Sequence, residues 1–146
     1  MDNKNVRAGV GIMILRGGKI LLGKRNDDPI KASSELGGQS TWTMPGGKIH
    51  FGEKIQDAAI RELKEEVGII PKRLRVVSVT NEIRNDAHFV TIGFLCDVFE
   101  NEPKVMEPEE ITEWRWFSID NLPNPIFSPS LKLLQNYIDK EMYEGD

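Results

Sequence analysis

The chain has a single cysteine, Cys96, so no internal disulfide can form. It has no apolar run near the roughly 20 residues that a membrane-spanning helix requires. Its N-terminal stretch, MDNKNVRAG, lacks the apolar segment of a secretory signal. These absences predict a cytoplasmic protein with no membrane partner. There is no surplus of positive charge either: 19 basic residues face 23 acidic ones, a net charge of -4. That argues against a broad face for polymeric nucleic acid, though not against a nucleotide in a local pocket. Repeats, low-complexity tracts and a dividing linker are also missing. Residues 1–146 are therefore expected to form one domain, with the 39% apolar and 29% charged composition of an ordinary globule.

What is present reads as several strands and two substantial helices. Val6 to Leu15 alternates: Ala8, Val10, Ile12 and Ile14 share one face, and Gly9, Gly11, Met13 and Leu15 the other. Glycines inside a strand mark a place where something approaches the backbone closely. Arg16-Gly17-Gly18-Lys19 predicts a hairpin turn leading to a strand from Ile20 to Lys24. Asn26 to Thr41 reads as a polar loop, and Trp42-Thr43-Met44 as a short extended piece stopped by Pro45-Gly46-Gly47. A helix is expected from about Lys54 to Val67, ending at Gly68. Strands are expected from Arg73 to Thr80 and from His88 to Phe99. The latter should carry Val90, Ile92, Phe94, Cys96 and Val98 on one face. An acidic loop from Pro103 to Thr112, a short strand from Trp114 to Phe117 and a helix from about Ser130 to Glu141 complete an α+β fold, an αβα sandwich around a mixed sheet.

The helix ending at Gly68 carries the chemical signal. On a wheel, Ile55, Ala59, Leu63 and Val67 form an apolar stripe, with Glu62 and Glu66 at its edge and Glu65 beside them. Like charges at this spacing repel, acids in a last turn oppose the helix dipole by roughly 0.3–1 kcal/mol each, and partial burial adds to the cost. Arg61 and Lys64 do not project with the Glu62/Glu66 pair. A divalent cation would relieve all three costs, and oxygen-only ligands favour Mg²⁺, Mn²⁺ or Ca²⁺ over zinc. Taken alone, the pattern leaves a solvated acidic face open as the other reading. The preceding Pro45-Gly46-Gly47 bend can offer carbonyl oxygens, and the combination suits polyphosphate chemistry.

These residues resemble the Nudix hydrolase signature, Gx5Ex7REUxEExGU with U a bulky aliphatic residue. Gly47, Glu53, Arg61-Glu62-Leu63, Glu65-Glu66, Gly68 and Ile69 meet every defined position, a coincidence on the order of 10⁻⁹ per starting position from average residue usage. The resemblance implies a metal-dependent enzyme, using Mg²⁺ or Mn²⁺, that hydrolyses a nucleoside diphosphate linked to another group. It implies Glu62, Glu65 and Glu66 as metal ligands with the carbonyl of Gly46. Glu62 is a general-base candidate, and Arg61 pairs with Glu53 to fix the helix against its loop. One further carboxylate from a later loop is expected at Glu109 or Glu110. Leu21 to Arg25, Trp42 to Gly47, Phe51-Gly52-Glu53 and Val90-Thr91-Ile92 resemble the MutT-type nucleoside triphosphate pyrophosphatases, which release a nucleoside monophosphate and pyrophosphate. That branch implies a substrate site at Arg25, Met44, Gly47, His50, Thr91, Phe127 and Leu131, and dimers are common in it, with the His88 to Phe99 strand or its neighbours pairing across subunits. The long Asn26 to Thr41 loop and His50 depart from the usual pattern and leave the base preference open. ADP-ribose, a nucleotide sugar, a dinucleoside polyphosphate or capped RNA are the alternative substrates, and a non-catalytic nucleotide-binding module is the alternative of another class.

Of the remaining residues, Cys96 is expected as inert core, and His88 as a surface residue. Trp114 and Trp116 are expected as one core residue and one lid over the sheet, with base stacking the less favoured role. Lys24 and Arg25 are equally open to solvation and to phosphate contact.

Overall fold

A computed structural model describes residues 4–32 and 36–145. The first three residues of the N-terminal stretch, residues 33–35 of the Asn26 to Thr41 loop and residue 146 lie outside the described residues. The elements are strands β1 (Val6–Arg16) and β2 (Lys19–Arg25), helix α1 (Pro29–Ala32), and strands β3 (Trp42–Thr43) and β4 (Gly46–Lys48). Helix α2 (Ile55–Glu66), strands β5 (Ile70–Ile83), β6 (His88–Glu100) and β7 (Ile111–Ser118), and helix α3 (Ser128–Asp139) follow. The fold is α+β, with helices on both faces of a mixed sheet of order β3-β2-β1-β6-β5; β4 pairs with β1, and β7 with β2. β1 and β6 are parallel over Val6↔His88 to Ile14↔Cys96, and the other pairings are antiparallel.

The alternation in β1 sorts the core into two. Val10, Ile12 and Ile14 pack with Ala58, Ala59, Leu63 and Val67 beneath α2, while Met13 packs with Leu133 and Leu134 beneath α3. Cys96 lies in the α2-side core, and burial pushes its thiol up to about 11, as expected of an inert group. Gly17 and Gly18, both at positive φ, turn β1 into β2. Gly68, at φ 72°, closes α2. No helix among the described residues is long and apolar enough to cross a membrane.

Several elements differ from expectation. The polar loop contains α1, because Asp28 and Pro29 start a helix where Asp-Asp-Pro reads as a turn. The Asp28 Oδ1 accepts from the Ile30 amide at 2.9 Å, and Pro29 needs no partner in a first turn. β5 begins at Ile70, before Pro71, which an edge strand tolerates. β7 begins at Ile111, inside the expected acidic loop. Val98 is 44% exposed, because β6 there has run past its last partner on β1. Ile55 is 37% exposed in the first turn of α2, and Ala58 joins the buried stripe. Trp114 and Trp116 both pack on the α2 side, as alternate residues of one strand must, and Arg115 faces Trp42 on the other. From His88 to Cys96, β6 is interior, between β1 and β5, so that stretch has no free edge for a partner subunit.

Candidate active site

The close approach foreseen for the glycines of β1 is β4. Gly9, Val10 and Gly11 pair with Lys48, Gly47 and Gly46. Gly46 and Gly47 are extended backbone, and contact makes them glycine. A Cβ on Gly46 would run into the carbonyl oxygen of Val10, and one on Gly47 would lie 2.5 Å from the Glu62 carboxylate. β4 is thus a flat shelf on which the buried face of α2 rests. Glu62 is only 8% exposed and belongs to that buried face together with Ala58, Ala59 and Leu63.

Arg61 organises the acids around this shelf. Its Nε donates to Glu53 Oε2 at 2.8 Å and its Nη2 to Glu53 Oε1 at 3.0 Å, joining helix to loop as expected. Contrary to expectation, Arg61 also reaches one member of the Glu62/Glu66 pair, Glu62, and with it Glu65. Its Nη1 donates to Glu62 Oε1 at 2.7 Å and, more distantly, to Glu65 Oε2 at 3.3 Å. The reason is reach: a planar fork with five N–H groups can serve carboxylates on both sides of its own position. Glu66 accepts from the Gly46 amide at 3.3 Å. Burial first, and then the charge of Glu62, hold its carboxyl well above the usual range.

These groups line a cavity of about 730 Å³ that also receives Arg25, Met44, His50, Thr91, Phe127 and Ser130. Most residues expected at the site therefore meet in one place: Glu62, Glu65, Glu66, Arg61, Gly46, Gly47, Arg25, Met44, His50, Thr91, Phe127 and Glu110 all line it. Glu53 stands behind Arg61. Two expectations fall elsewhere. Leu131 is 46% exposed and borders a separate hollow with Val79 and Tyr143, because α3 turns Ser130 and Leu133 inward instead. Glu109 is exposed, and its carbonyl accepts from Asn26 Nδ2 at 2.9 Å. Trp114 and Trp116 are not in the lining, and Lys24 lies over the Trp42 ring, 5.7 Å from its centre.

Glu107 joins the cavity without having been foreseen. The amides of Glu110 and Ile111 both donate to the Glu107 carbonyl, forming a helical turn. In such a turn residues three apart share a face, so Glu107 and Glu110 point together and Glu109 away. The signal was the Glu107-Pro108-Glu109-Glu110 run, read at helical spacing. Burial raises both carboxyls; Glu110 then adds to the rise of Glu107, while Arg25 offsets that of Glu110. Arg25 itself is 8% exposed, and its Nε and Nη2 are committed to the carbonyls of Gly38 and Ala32 at 2.9 and 2.7 Å.

Five glutamates thus face two arginines and one lysine in the cavity wall. Among the described residues no three acidic, histidine or cysteine side chains converge as a ready cage for a metal ion, since Arg61 draws Glu62 and Glu65 towards itself. The donor set still fits a hard divalent cation. It is all oxygen, carries surplus negative charge, and includes a buried acid pair that a cation would relieve. Mg²⁺ in particular keeps several waters and needs only one or two carboxylates.

Residues 5–137 match the family profile described as the NUDIX domain. The chain belongs to the Nudix family. It is 32% identical over 128 residues to an ADP-ribose pyrophosphatase of Methanocaldococcus jannaschii, covering 86% of this chain and 69% of that protein. It is 30% identical over 138 residues to an RNA pyrophosphohydrolase of Acinetobacter baylyi, covering 81% of this chain and 76% of that one. Among solved structures, a MutT Nudix hydrolase from Burkholderia pseudomallei superposes with a TM-score of 0.81 at 33% identity, covering 91% of this chain and 98% of its own. This Nudix protein is accordingly an enzyme, a pyrophosphohydrolase of a family that works with divalent metals.

Proposed function

We propose that this Nudix enzyme hydrolyses a nucleoside triphosphate, or its deoxy form, to the monophosphate and pyrophosphate. One observation carries the reading: a single cavity joins the acid shelf of α2 to a mostly apolar pocket at Met44, Phe89, Phe127 and Leu133. The first suits a phosphate chain and the second a base. The likeness to the MutT structure over nearly the whole of both chains supports the same substrate class.

Glu62, Glu65 and Glu66, with the backbone at Gly46, would hold Mg²⁺ or Mn²⁺, and Glu107 or Glu110 could add a carboxylate from the opposite wall. Such an ion supplies Lewis-acid neutralisation of the phosphate oxygens and activation of a water. The chain's own residues do the rest. Glu62, seated on Gly47, offers a carboxylate as general base to a water at the shelf. Arg61 keeps Glu62 oriented, and Glu53 keeps Arg61 in place. Arg25 holds the wall beside the base pocket and adds positive charge against the acids. An anionic substrate entering a wall with more acids than bases is repelled unless a cation accompanies it, which ties binding to the metal.

The test is product analysis across all nucleoside triphosphates and deoxynucleoside triphosphates with Mg²⁺, run beside Glu66→Gln. Pyrophosphate should appear with the wild type. The variant should fold normally and lose about 10²-fold or more in turnover, as expected from several kcal/mol of lost charge stabilisation. Near-normal turnover by Glu66→Gln would defeat the metal site. The relatives named for ADP-ribose and RNA favour a second reading, the same cleavage in another nucleoside diphosphate derivative. Preferred release of AMP and ribose 5-phosphate from ADP-ribose, or of pyrophosphate from 5′-triphosphate RNA to leave a 5′-monophosphate end, would select it.

A further inference from the structure

The apolar end of the cavity has two walls from distant parts of the chain. One is formed after β2 by Ala32 and Leu36; the other is the start of α3, with Phe127 and Pro129. Inside the cavity they touch through Arg25, whose guanidinium carbon lies 4.7 Å from the centre of the Phe127 ring while Nε holds the Gly38 carbonyl. A Cβ on Gly38 would come within 2.6 Å of Phe127, so the two walls are in close contact.

Outside the cavity a second set of bonds joins the same walls. Ser128 stands between Phe127 and Pro129 and turns away from the cavity. Its hydroxyl donates to Glu82 Oε1 at 2.7 Å. Glu82, near the end of β5, is only 8% exposed. Two cations flank it, Lys132 of α3 and Arg84, each 3.6 Å away. Arg84 then reaches the other wall, where its Nη1 donates to the Leu36 carbonyl at 2.5 Å. None of Glu82, Arg84, Ser128 and Lys132 lines the cavity.

We infer that Glu82 and Arg84 are positioning residues: together with Ser128 they clasp the two walls of the base pocket from outside and so set its width. A buried carboxylate with two cations and a hydroxyl is a costly arrangement, and a surface ion pair alone contributes little. What the arrangement does here is fix Phe127 and Leu36 relative to one another. A clasp of this kind acts on how well the base is held, not on the acid shelf some residues away on α2 and β4. Loosening it should weaken binding and leave the chemical step alone.

This inference rests on the reading of the apolar pocket as the base site. The variants are Arg84→Ala, Ser128→Ala and Arg84→Lys, all exposed or near-surface changes that leave Glu82 in place. Two readouts are taken: kcat and KM for the nucleoside triphosphates with Mg²⁺, and the Kd of nucleoside monophosphates, which hold no anhydride to cleave, also with Mg²⁺. Arg84→Ala and Ser128→Ala should each raise KM and Kd about three- to tenfold, the loss of one hydrogen bond's worth of positioning, with kcat within about twofold of wild type. Arg84→Lys, which can still donate to Leu36, should recover part of the loss. KM and Kd unchanged in both alanine variants, or a fall in kcat at constant KM, would overturn the clasp. If the wild type turns over no nucleoside triphosphate yet binds monophosphates, the substrate reading fails by itself and the Kd comparison still decides the clasp. If it binds no monophosphate, both fail.

Discussion

Arg61 shows how one side chain can settle the state of its neighbours. Its bonds to Glu53 come first among the influences that keep it firmly cationic, with those to Glu62 next. In return, Arg61 and then the His50 amide hold the Glu53 carboxyl down to about 2. The ionised form of Glu53 is therefore the one the fold favours. Its contribution to stability is complete above the unfolded value of about 4.3 and is lost as pH falls from there towards 2. Glu53→Gln should destabilise the protein at pH 7, and the gap from wild type should be constant down to about pH 5 and narrow below about pH 4.5. Denaturant unfolding of both proteins across that range measures it. A gap that widened on acidification would show that Arg61 depends on Glu53 for something other than charge.

At the scale of elements, the contact of β4 with α2 separates stability from catalysis. Gly46→Ala presses a methyl group into the Val10 carbonyl, within the β1–β4 pairing itself. It should cost about 1–3 kcal/mol of stability by overpacking. Gly47→Ala presses instead on the Glu62 carboxylate, the end of a side chain that can move. It should leave the unfolding midpoint close to wild type and lower turnover by about 10²-fold, the penalty of a displacement near 1 Å in a reacting group. Unfolding curves and initial rates on the two variants test the separation. The elements also show what was legible beforehand. α2, its glycine stop and its acids were readable because helix spacing, a C-terminal glycine and like-charge crowding are all local. The pairing of Gly46 and Gly47 with β1 was visible only as a hint, in glycines on both partners, because pairing is a long-range choice. Glu107 and Leu131 went astray through phase: an irregular acidic turn and a helix that starts at Ser128, not Ser130, each rotate a side chain to another face. Nothing local could reveal that Ser128 would meet Glu82, since the two are brought together only when α3 packs on β5.

The whole molecule has to manage the edges of its sheet, and β5 is one of them. A long edge strand presents unpaired backbone groups that invite another chain. Here the segment after α3 covers part of it. Lys140, at φ 57°, turns the chain back, and the Val79 amide of β5 donates to the Met142 carbonyl at 2.8 Å. Asn136, buried in α3, holds that same carbonyl at 3.1 Å while also donating to Ser78 of β5 at 2.9 Å, and Asn81 donates to the Tyr143 hydroxyl at 3.1 Å. Helix, strand and tail are thus tied at one asparagine. The edge on offer to a second copy is β5 rather than β6, and its stretch around Val79 becomes free only when the tail leaves. Deleting residues from Glu141 onward should leave the acid shelf and its turnover per chain intact, since none of the tail residues lines the catalytic cavity. It should, however, convert the protein to a concentration-dependent associating form, and Asn136→Ala should do so more weakly. Sedimentation or size-exclusion chromatography over a concentration series reads the outcome. A truncated protein with the same mass distribution as the full chain would mean that β5 is protected by its own bulges at Pro71/Arg73, Arg73/Arg75 and Val76/Ser78, which twist an edge away from a flat partner, and that the tail serves only to seat α3.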